Sequence, residues 1–311
     1  MSETNRTAHQ TKIKILIIGF WPDYERQCFE AFSDKNIRII IVDPREVFQN
    51  NKYKILLPRK IKNEIYKHHI NKIIKEHTGA IYVFQDSKIF IEFMLCKAPE
   101  RSHLIFRNTI SDENSSNVEK LKSKGHIIWS FDKNDCKRYN INYYNQFIHR
   151  IPGISDTPIR YDFAFVGRDK NREIIIRDIK KRLEGYGFNV NIKIIKDNSS
   201  TMPYVEYLKE SCKARCLIDV TKDGQSGMTL RPLEAAVYNR KLLTNNKGIL
   251  DSNLYSENRV LLTDSLDSIN SVKNFIKKPM NKIHKNLINL YSIDKLIMQV
   301  LSCYTNQHYD G

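Results

Sequence analysis

The sequence predicts an α/β fold made of two parallel-sheet domains in tandem. Three observations carry this. Short β-branched runs alternate with segments of helical apolar spacing along the chain. The runs are apolar enough to be strands covered on both faces, as in parallel sheets. The alternation then restarts after a joint at Ile151 to Pro158, which holds Pro152, Gly153 and Pro158.

The first half opens with a strand at Ile13 to Ile18, closed by Gly19. A helix follows over Asp23 to Phe32, then a strand over Ile37 to Val42 that stops at Asp43-Pro44. Tyr53 to Leu57 is a short third strand. Ile61, Ile65, His69 and Ile73 give the spacing of a helix over Ile61 to His77. Ala80 to Phe84 is a strand and Ser87 to Cys96 a helix. Leu104 to Arg107, Val118 to Lys124 and His126 to Phe131 read as strand, helix and strand. Tyr139 to Phe147 is aromatic and polar without a period. The joint lies near residues 150 to 160.

The second half repeats the rhythm. Asp162 to Val166 is a strand ending at Gly167, and Arg172 to Glu184 is a helix broken by Gly185 and Gly187. Val190 to Ile195 is a strand, and Pro203 suits the first turn of a helix running to Lys213. Cys216 to Val220, Lys241 to Thr244 and Arg259 to Thr263 are strands. Thr229 to Tyr238 and Ser265 to Lys277 are helices. One last amphipathic helix contains Ile283, Leu287, Leu290, Ile293, Ile297, Val300 and Leu301. The expected division is therefore 1–155, 156–278 and a C-terminal helix in 279–311 that packs back across the domains.

Composition narrows the class. Of 311 residues, 41% are hydrophobic, enough for a core and too many for a disordered chain. No apolar run is long enough to span a bilayer, and the polar N-terminus lacks a secretory signal. The six cysteines follow no disulfide spacing and read as reduced thiols of a cytoplasmic protein. Lys plus Arg is 51 against 35 for Asp plus Glu, a formal charge of +16. That suggests an anionic partner, although an Ile-, Asn- and Lys-rich genome would also produce it.

Ligands of such sheets bind beyond the carboxyl ends of the strands, which selects a few segments. Gly19 to Asp23 follows the first strand, with Trp21 and Asp23 placed to line a cleft. Gly167-Arg168, with Arg172 four residues on, combines a turn glycine with forked cationic donors at a helix start. Lys222 to Glu234 (KDGQSGMTLRPLE) puts a polar glycine-containing loop before a helix, where backbone donors hold a diphosphate. Pro232 must lie in that helix's first turn, so Glu234 falls near the ligand end. A P-loop and a three-glycine dinucleotide fingerprint are both missing. His68-His69 are read as surface residues and Cys212 and Cys216 as core thiols, so no metal site is expected.

Residues 224–246, GQSGMTLRPLEAAVYNRKLLTNN, resemble the donor-binding segment of bacterial glycosyltransferases from lipopolysaccharide and capsular polysaccharide clusters. Ser130-Phe131-Asp132 with Asp135 and Tyr139, and Asp162 to Gly167, extend the resemblance over roughly residues 126 to 264. It implies a GT-B-like fold, two Rossmann-like domains facing across a cleft, with the acceptor side in the first and the nucleotide-sugar in the second. It places Gly167, Arg168 and Arg172 beside the donor diphosphate, and Gln225, Ser226 and Gly227 on the phosphates or the sugar. Glu234 matches the ribose-binding acid, and Asn245 and Asn246 face the sugar side. Position 227 is Gly where many GT-B enzymes carry a second glutamate, seven residues before Glu234.

The activity so implied is metal-independent transfer from a nucleotide-sugar, a substrate rather than a cofactor, to a glycan or lipid-linked glycan. Arg168, Lys222 and helix amides would stabilise the leaving diphosphate. An inverting route needs a base from the first domain, for which Asp23 and then Asp86 are the candidates. Trp21 and Arg107 are candidates for acceptor binding. The lysines between Asp267 and Asp294 suit an anionic membrane at the inner face of the cell membrane. The competing readings are a basic nucleic-acid binder, for which no recognition motif is present, and an inactive two-domain interaction protein.

Overall fold

The computed structural model describes residues 12–48, 57–196, 202–221 and 227–305. In the first half, β1 (Ile13–Ile18), α1 (Asp23–Glu30) and β2 (Ile37–Val42) are followed by a 3-10 turn, Pro44–Phe48. Then come α2 (Arg59–Glu76), β3 (Ile81–Gln85), α3 (Lys88–Cys96), β4 (His103–Phe106) and α4 (Asp112–Ser123). β5 (Ile127–Ser130), α5 (Lys133–Tyr139) and β6 (Asn142–Tyr143) complete it. All pairings are parallel, and the six-stranded order is β2-β1-β3-β4-β5-β6.

Alternate residues of each central strand feed different cores, as the two-residue period requires. Leu16, Ile18, Tyr82, Phe84, Leu104 and Phe106 face one layer. Ile15, Ile17, Ile81, Val83 and Ile105 face the other. Burying such side chains contributes about 1.5–3 kcal/mol each.

The second half contains β7 (Tyr161–Arg168), α6 (Glu173–Gly185), β8 (Val190–Ile195), α7 (Tyr204–Cys212) and β9 (Ala214–Asp219). It continues with α8 (Leu230–Val237), β10 (Lys241–Thr244), β11 (Val260–Leu262) and α9 (Ile269–Lys277). Its five parallel strands run in the order β11-β10-β9-β7-β8.

Several expectations change. Most of the third strand expected at Tyr53 to Leu57 lies outside the described residues, and Leu57 is not in a strand. The single C-terminal helix is two, α10 (Lys285–Asn289) and α11 (Ile293–Thr305). The break has a packing reason. Ile283, Leu287 and Leu290 lie against the second domain's core, whereas Ile293, Leu296, Ile297 and Val300 bury themselves in the first. Gly19 was expected to admit a ligand. It has φ +87°, and a Cβ there would lie 2.0 Å from the Phe90 ring, so the neighbour it admits is Phe90. Gly167 does not make a turn, because β7 runs through it to Arg168; the turn falls at Lys170 and Asn171, with φ of 47° and 63°.

The strand orders locate the crevices. Order reverses between β1 and β3 in the first sheet and between β7 and β9 in the second. These are the switch points where open α/β sheets hold ligands.

Candidate functional site

The second switch point is built around Arg172. Its guanidinium donates to the carbonyls of Asp169 (3.1 Å) and Arg168 (3.0 Å) on the β7 side, and to Val220 beyond β9. It therefore spans the crevice between the two strands. Among the described residues neither Arg172 nor the exposed Arg168 forms an ion pair. Burial lowers the pKa of Arg172. The helix start beside it is not open: Asp169 Oδ1 accepts the N–H of Arg172 (2.9 Å) and of Glu173 (2.8 Å), so a carboxylate occupies the first amides of α6.

Beneath Arg172 lies a buried polar cluster. Asp219 ends β9, and its two oxygens accept the hydroxyls of Thr229 and Thr244, each at 3.0 Å. Thr229 also caps α8 by accepting Arg231 N–H at 3.3 Å. Pro232 sits in the first turn of α8, as expected. Arg231 donates to Val166 O (2.7 Å) and Ile218 O (3.2 Å), between the rings of Phe165 and Tyr207. Its Nε is 3.3 Å from Glu234 Oε2.

Glu234 is 2% exposed. Its Oε1 accepts the Tyr204 hydroxyl at 3.1 Å and its Oε2 the Tyr207 hydroxyl at 2.7 Å. Burial pushes its carboxyl up, against the opposing pull of Arg231 and the two phenols. The expected ribose acceptor is thus turned to its own domain's tyrosines in this structure. Gly167 adjoins the same cluster, since a Cβ there would sit 3.5 Å from Arg231 Nη2.

Asn245 and Asn246 are also engaged locally. The Asn245 amide accepts Thr221 N–H (2.8 Å) and hydroxyl (3.1 Å) and donates to Thr221 O (3.2 Å). Asn246 caps the 3-10 turn Lys247–Asp251 and donates to Gly227 O at 3.3 Å. Lys222, Gln225 and Ser226 lie outside the described residues.

On the first domain, Asp23 is exposed in the first turn of α1 and follows β1, while Asp86 follows β3. The two carboxylates flank that sheet's switch point. Burial pushes the Asp86 carboxyl up to about 6, opposed by backbone N–H groups and the Arg107 charge. Its Oδ2 accepts Asn108 N–H at 3.3 Å.

Trp21 is half-buried against Phe90, with the Arg45 guanidinium over its ring. Arg107, expected to meet an acceptor, points inward instead. Its donors go to Glu25 (2.5 Å), Gln146 (2.6 Å) and Tyr144 (3.0 Å), and its side chain is 5% exposed. A guanidinium needs such a complete set of acceptors to be buried at all.

The two sets of strand ends meet. The Tyr24 and Tyr204 ring centroids are 5.3 Å apart, and Gly227 N–H donates to Asp132 Oδ2 at 2.7 Å. Sequence reasoning missed Tyr204, Tyr207, Arg231, Asp219 and Asp169. Asp169 as an acid just ahead of a helix, Asp219 at the end of β9 and Arg231 in the first turn of α8 carried local signals; the two tyrosines did not. Among the described residues no group of three or more His, Cys, Asp or Glu side chains could hold a metal ion, and no helix is long and apolar enough to cross a membrane.

No protein-family model matches the chain, and no curated protein matches it in sequence. Solved structures do match. UDP-GlcNAc 2-epimerase from Methanocaldococcus jannaschii is 13% identical, with 94% of this chain and 99% of that one covered at a TM-score of 0.55. UDP-N-acetylglucosamine 2-epimerase from Rickettsia bellii is 13% identical, covering 95% and 97% at 0.53. AviGT4, a glycosyltransferase involved in avilamycin A biosynthesis, is 7% identical, covering 94% and 97% at 0.50. At these identities the likeness concerns the fold, which is GT-B-like: two Rossmann-like parallel-sheet domains facing across a cleft.

Proposed function

We propose that the chain is a glycosyltransferase that moves a sugar from a nucleotide-sugar to a glycan or lipid-linked glycan acceptor in surface polysaccharide synthesis. The observation that carries this is Arg172, an arginine with no carboxylate ion-pair partner among the described residues, held across the β7/β9 switch point with Arg168 exposed beside it. A diphosphate supplies the anion that such a place lacks.

The chemistry follows from that assignment. The bond from the anomeric carbon to the diphosphate oxygen breaks through an oxocarbenium-like state. Negative charge grows on the leaving diphosphate, where guanidinium groups fixed in advance stabilise it. The acceptor hydroxyl forms the new bond and gives its proton to a base on the opposite wall. Asp86 suits that role because its carboxyl, at about 6, is ionised at neutral pH yet basic enough to take a proton. Asp23, exposed to solvent, is the second candidate. The exposed lysines 273, 277, 278, 282 and 285 would meet an anionic inner membrane face that presents a lipid-linked acceptor.

The test is a titration of UDP, GDP, CDP and ADP against the protein and against Arg168→Ala. Binding of one nucleotide that weakens about ten-fold in the variant supports the reading; a protein that binds none of them overturns it.

The epimerase matches favour a second reading, a sugar-nucleotide epimerase, because they cover nearly the whole of both chains. An epimerase converts its nucleotide-sugar with no acceptor present. NMR of UDP-GlcNAc incubated with the protein alone separates the two, since a transferase leaves the stereochemistry at C2 unchanged.

A further inference from the structure

We infer that Asp132 is a positioning residue that holds the second domain's ligand-binding strand ends against the first domain through Gly227. This rests on the reading that those strand ends take a nucleotide diphosphate. The Ser-Phe-Asp segment at 130–132 is conspicuous in the sequence, and the reaction outlined above gives it no task.

Among the described residues, the two carboxylate oxygens of Asp132 serve two different domains. Its Oδ1 caps α5, accepting Asn134 N–H at 2.8 Å and Asp135 N–H at 3.4 Å. Its Oδ2 reaches the other domain and accepts Gly227 N–H at 2.7 Å, 95 residues away in sequence. The cap is itself braced. Ser130 Oγ accepts Asp132 N–H (3.1 Å) and donates to Asp135 Oδ2 (3.3 Å), which also accepts Ile110 N–H (2.9 Å) from the loop after β4. Asp132 is 1% exposed, so this charge-assisted bond is shielded from water.

Gly227 is gripped from the other side as well, its carbonyl accepting the Asn246 amide. The approach requires glycine: a Cβ at 227 would lie 2.6 Å from Phe131 Cε2 and 3.2 Å from Asp132 Cα. Two residues later Thr229 caps α8 and bonds Asp219, so a shift of Gly227 is passed to the polar cluster at the strand ends.

The two jobs of Asp132 can be separated. Asn caps a helix as well as Asp does, so Asp132→Asn keeps one acceptor oxygen for α5 and loses the other. Gly227→Ala leaves the cap intact and forces the domains apart. The experiment measures calorimetric affinity for whichever of UDP, GDP, CDP or ADP the wild type binds, and amide hydrogen exchange at Gly227, Asn134 and Asp135. The expected result is about ten-fold or weaker nucleotide binding in both variants, with faster exchange at Gly227 and unchanged exchange in α5 for Asp132→Asn. If Asp132→Asn binds nucleotide as the wild type does, Asp132 is only a helix cap and the proposal fails by itself. If the wild type binds no nucleotide, the reading of the second domain fails and takes the proposal with it.

Discussion

Tyr204→Phe separates two roles for Glu234 with opposite signs. In the free protein the half-buried Tyr204 donates its hydroxyl to Glu234 Oε1 at 3.1 Å, and that carboxylate is buried. A hydrogen bond to a charged acceptor contributes about 1.5–3 kcal/mol. Removing the hydroxyl should therefore lower the unfolding free energy by about that amount, read as a lower urea midpoint. The ring stays, so the contact with Tyr24 is kept.

If Glu234 binds a ribose diol, that diol must take the place now held by the Tyr204 hydroxyl. In wild type one hydrogen bond is exchanged for another. In Tyr204→Phe the ribose fills an empty acceptor, and the energy lost from the free protein is recovered in the complex. Nucleotide affinity should then rise by about ten-fold, since a factor of ten corresponds to about 1.4 kcal/mol. Calorimetric titration of the bound nucleotide into both proteins reads this directly. A variant that is destabilised yet binds nucleotide equally or more weakly would show that Glu234 is a scaffold residue and that the ribose lies elsewhere.

Other outcomes follow from particular contacts. Asp86 acts as a base only when ionised, so kcat/KM should rise with pH through about 6, and Asp86→Asn should remove that limb along with most of the rate; a wild-type profile flat from pH 5 to 8 would exclude it. Gly19→Ala sets a Cβ 2.0 Å from Phe90 in a backbone conformation disfavoured for other residues, so it should destabilise by about 2–4 kcal/mol in urea unfolding, with partial recovery in Gly19→Ala/Phe90→Leu. Arg107→Ala leaves Glu25 buried without its cation and should cost about 3–5 kcal/mol, whereas Arg107→Met/Glu25→Gln should cost much less; equal losses would argue against the pair.

The strands were legible because each is a compact β-branched run between turn residues, and β1, β2, β8 and β10 begin and end where the runs do. Short elements with few apolar positions were not. α5 has no apolar period to read, although Asp132 ahead of it and Asn140 behind it, with φ 50°, are capping signals visible in hindsight. α4 starts at Asp112, six residues before the first apolar position at Val118, because Asp112 and Glu113 favour its first turn. At the site, Arg172, Glu234 and Asp86 could be picked out since each stands just past a strand or early in the following helix, and Gly167 because it lies at the carboxyl end of β7. Their partners could not. Arg107 meets a glutamate 82 positions away, and Tyr204 meets Glu234 across 30. Nothing local announces such pairs, and only the topology brings them together.

Those pairs give the two walls of the cleft a common construction. In the first domain Tyr24 and Arg107 converge on Glu25, and Arg107 also meets the Tyr144 hydroxyl. In the second, Tyr204, Tyr207 and Arg231 converge on Glu234. A buried ion pair is a poor source of stability, since apolar replacements often do as well. What it supplies is direction, because a phenol bonded to a buried carboxylate has a fixed ring plane. Tyr24 and Tyr204 each send the hydroxyl into their own domain and meet ring to ring. Together with Asp132 and Gly227, this gives two separated contacts between the domains, one apolar and one charge-assisted. Two points of contact alone would leave rotation about the line joining them, which the crossing from α10 on the second domain to α11 on the first restrains. The crevices at the two switch points are then held facing each other, and in the proposed two-substrate transfer, holding the reacting groups in place would itself supply a large share of the rate.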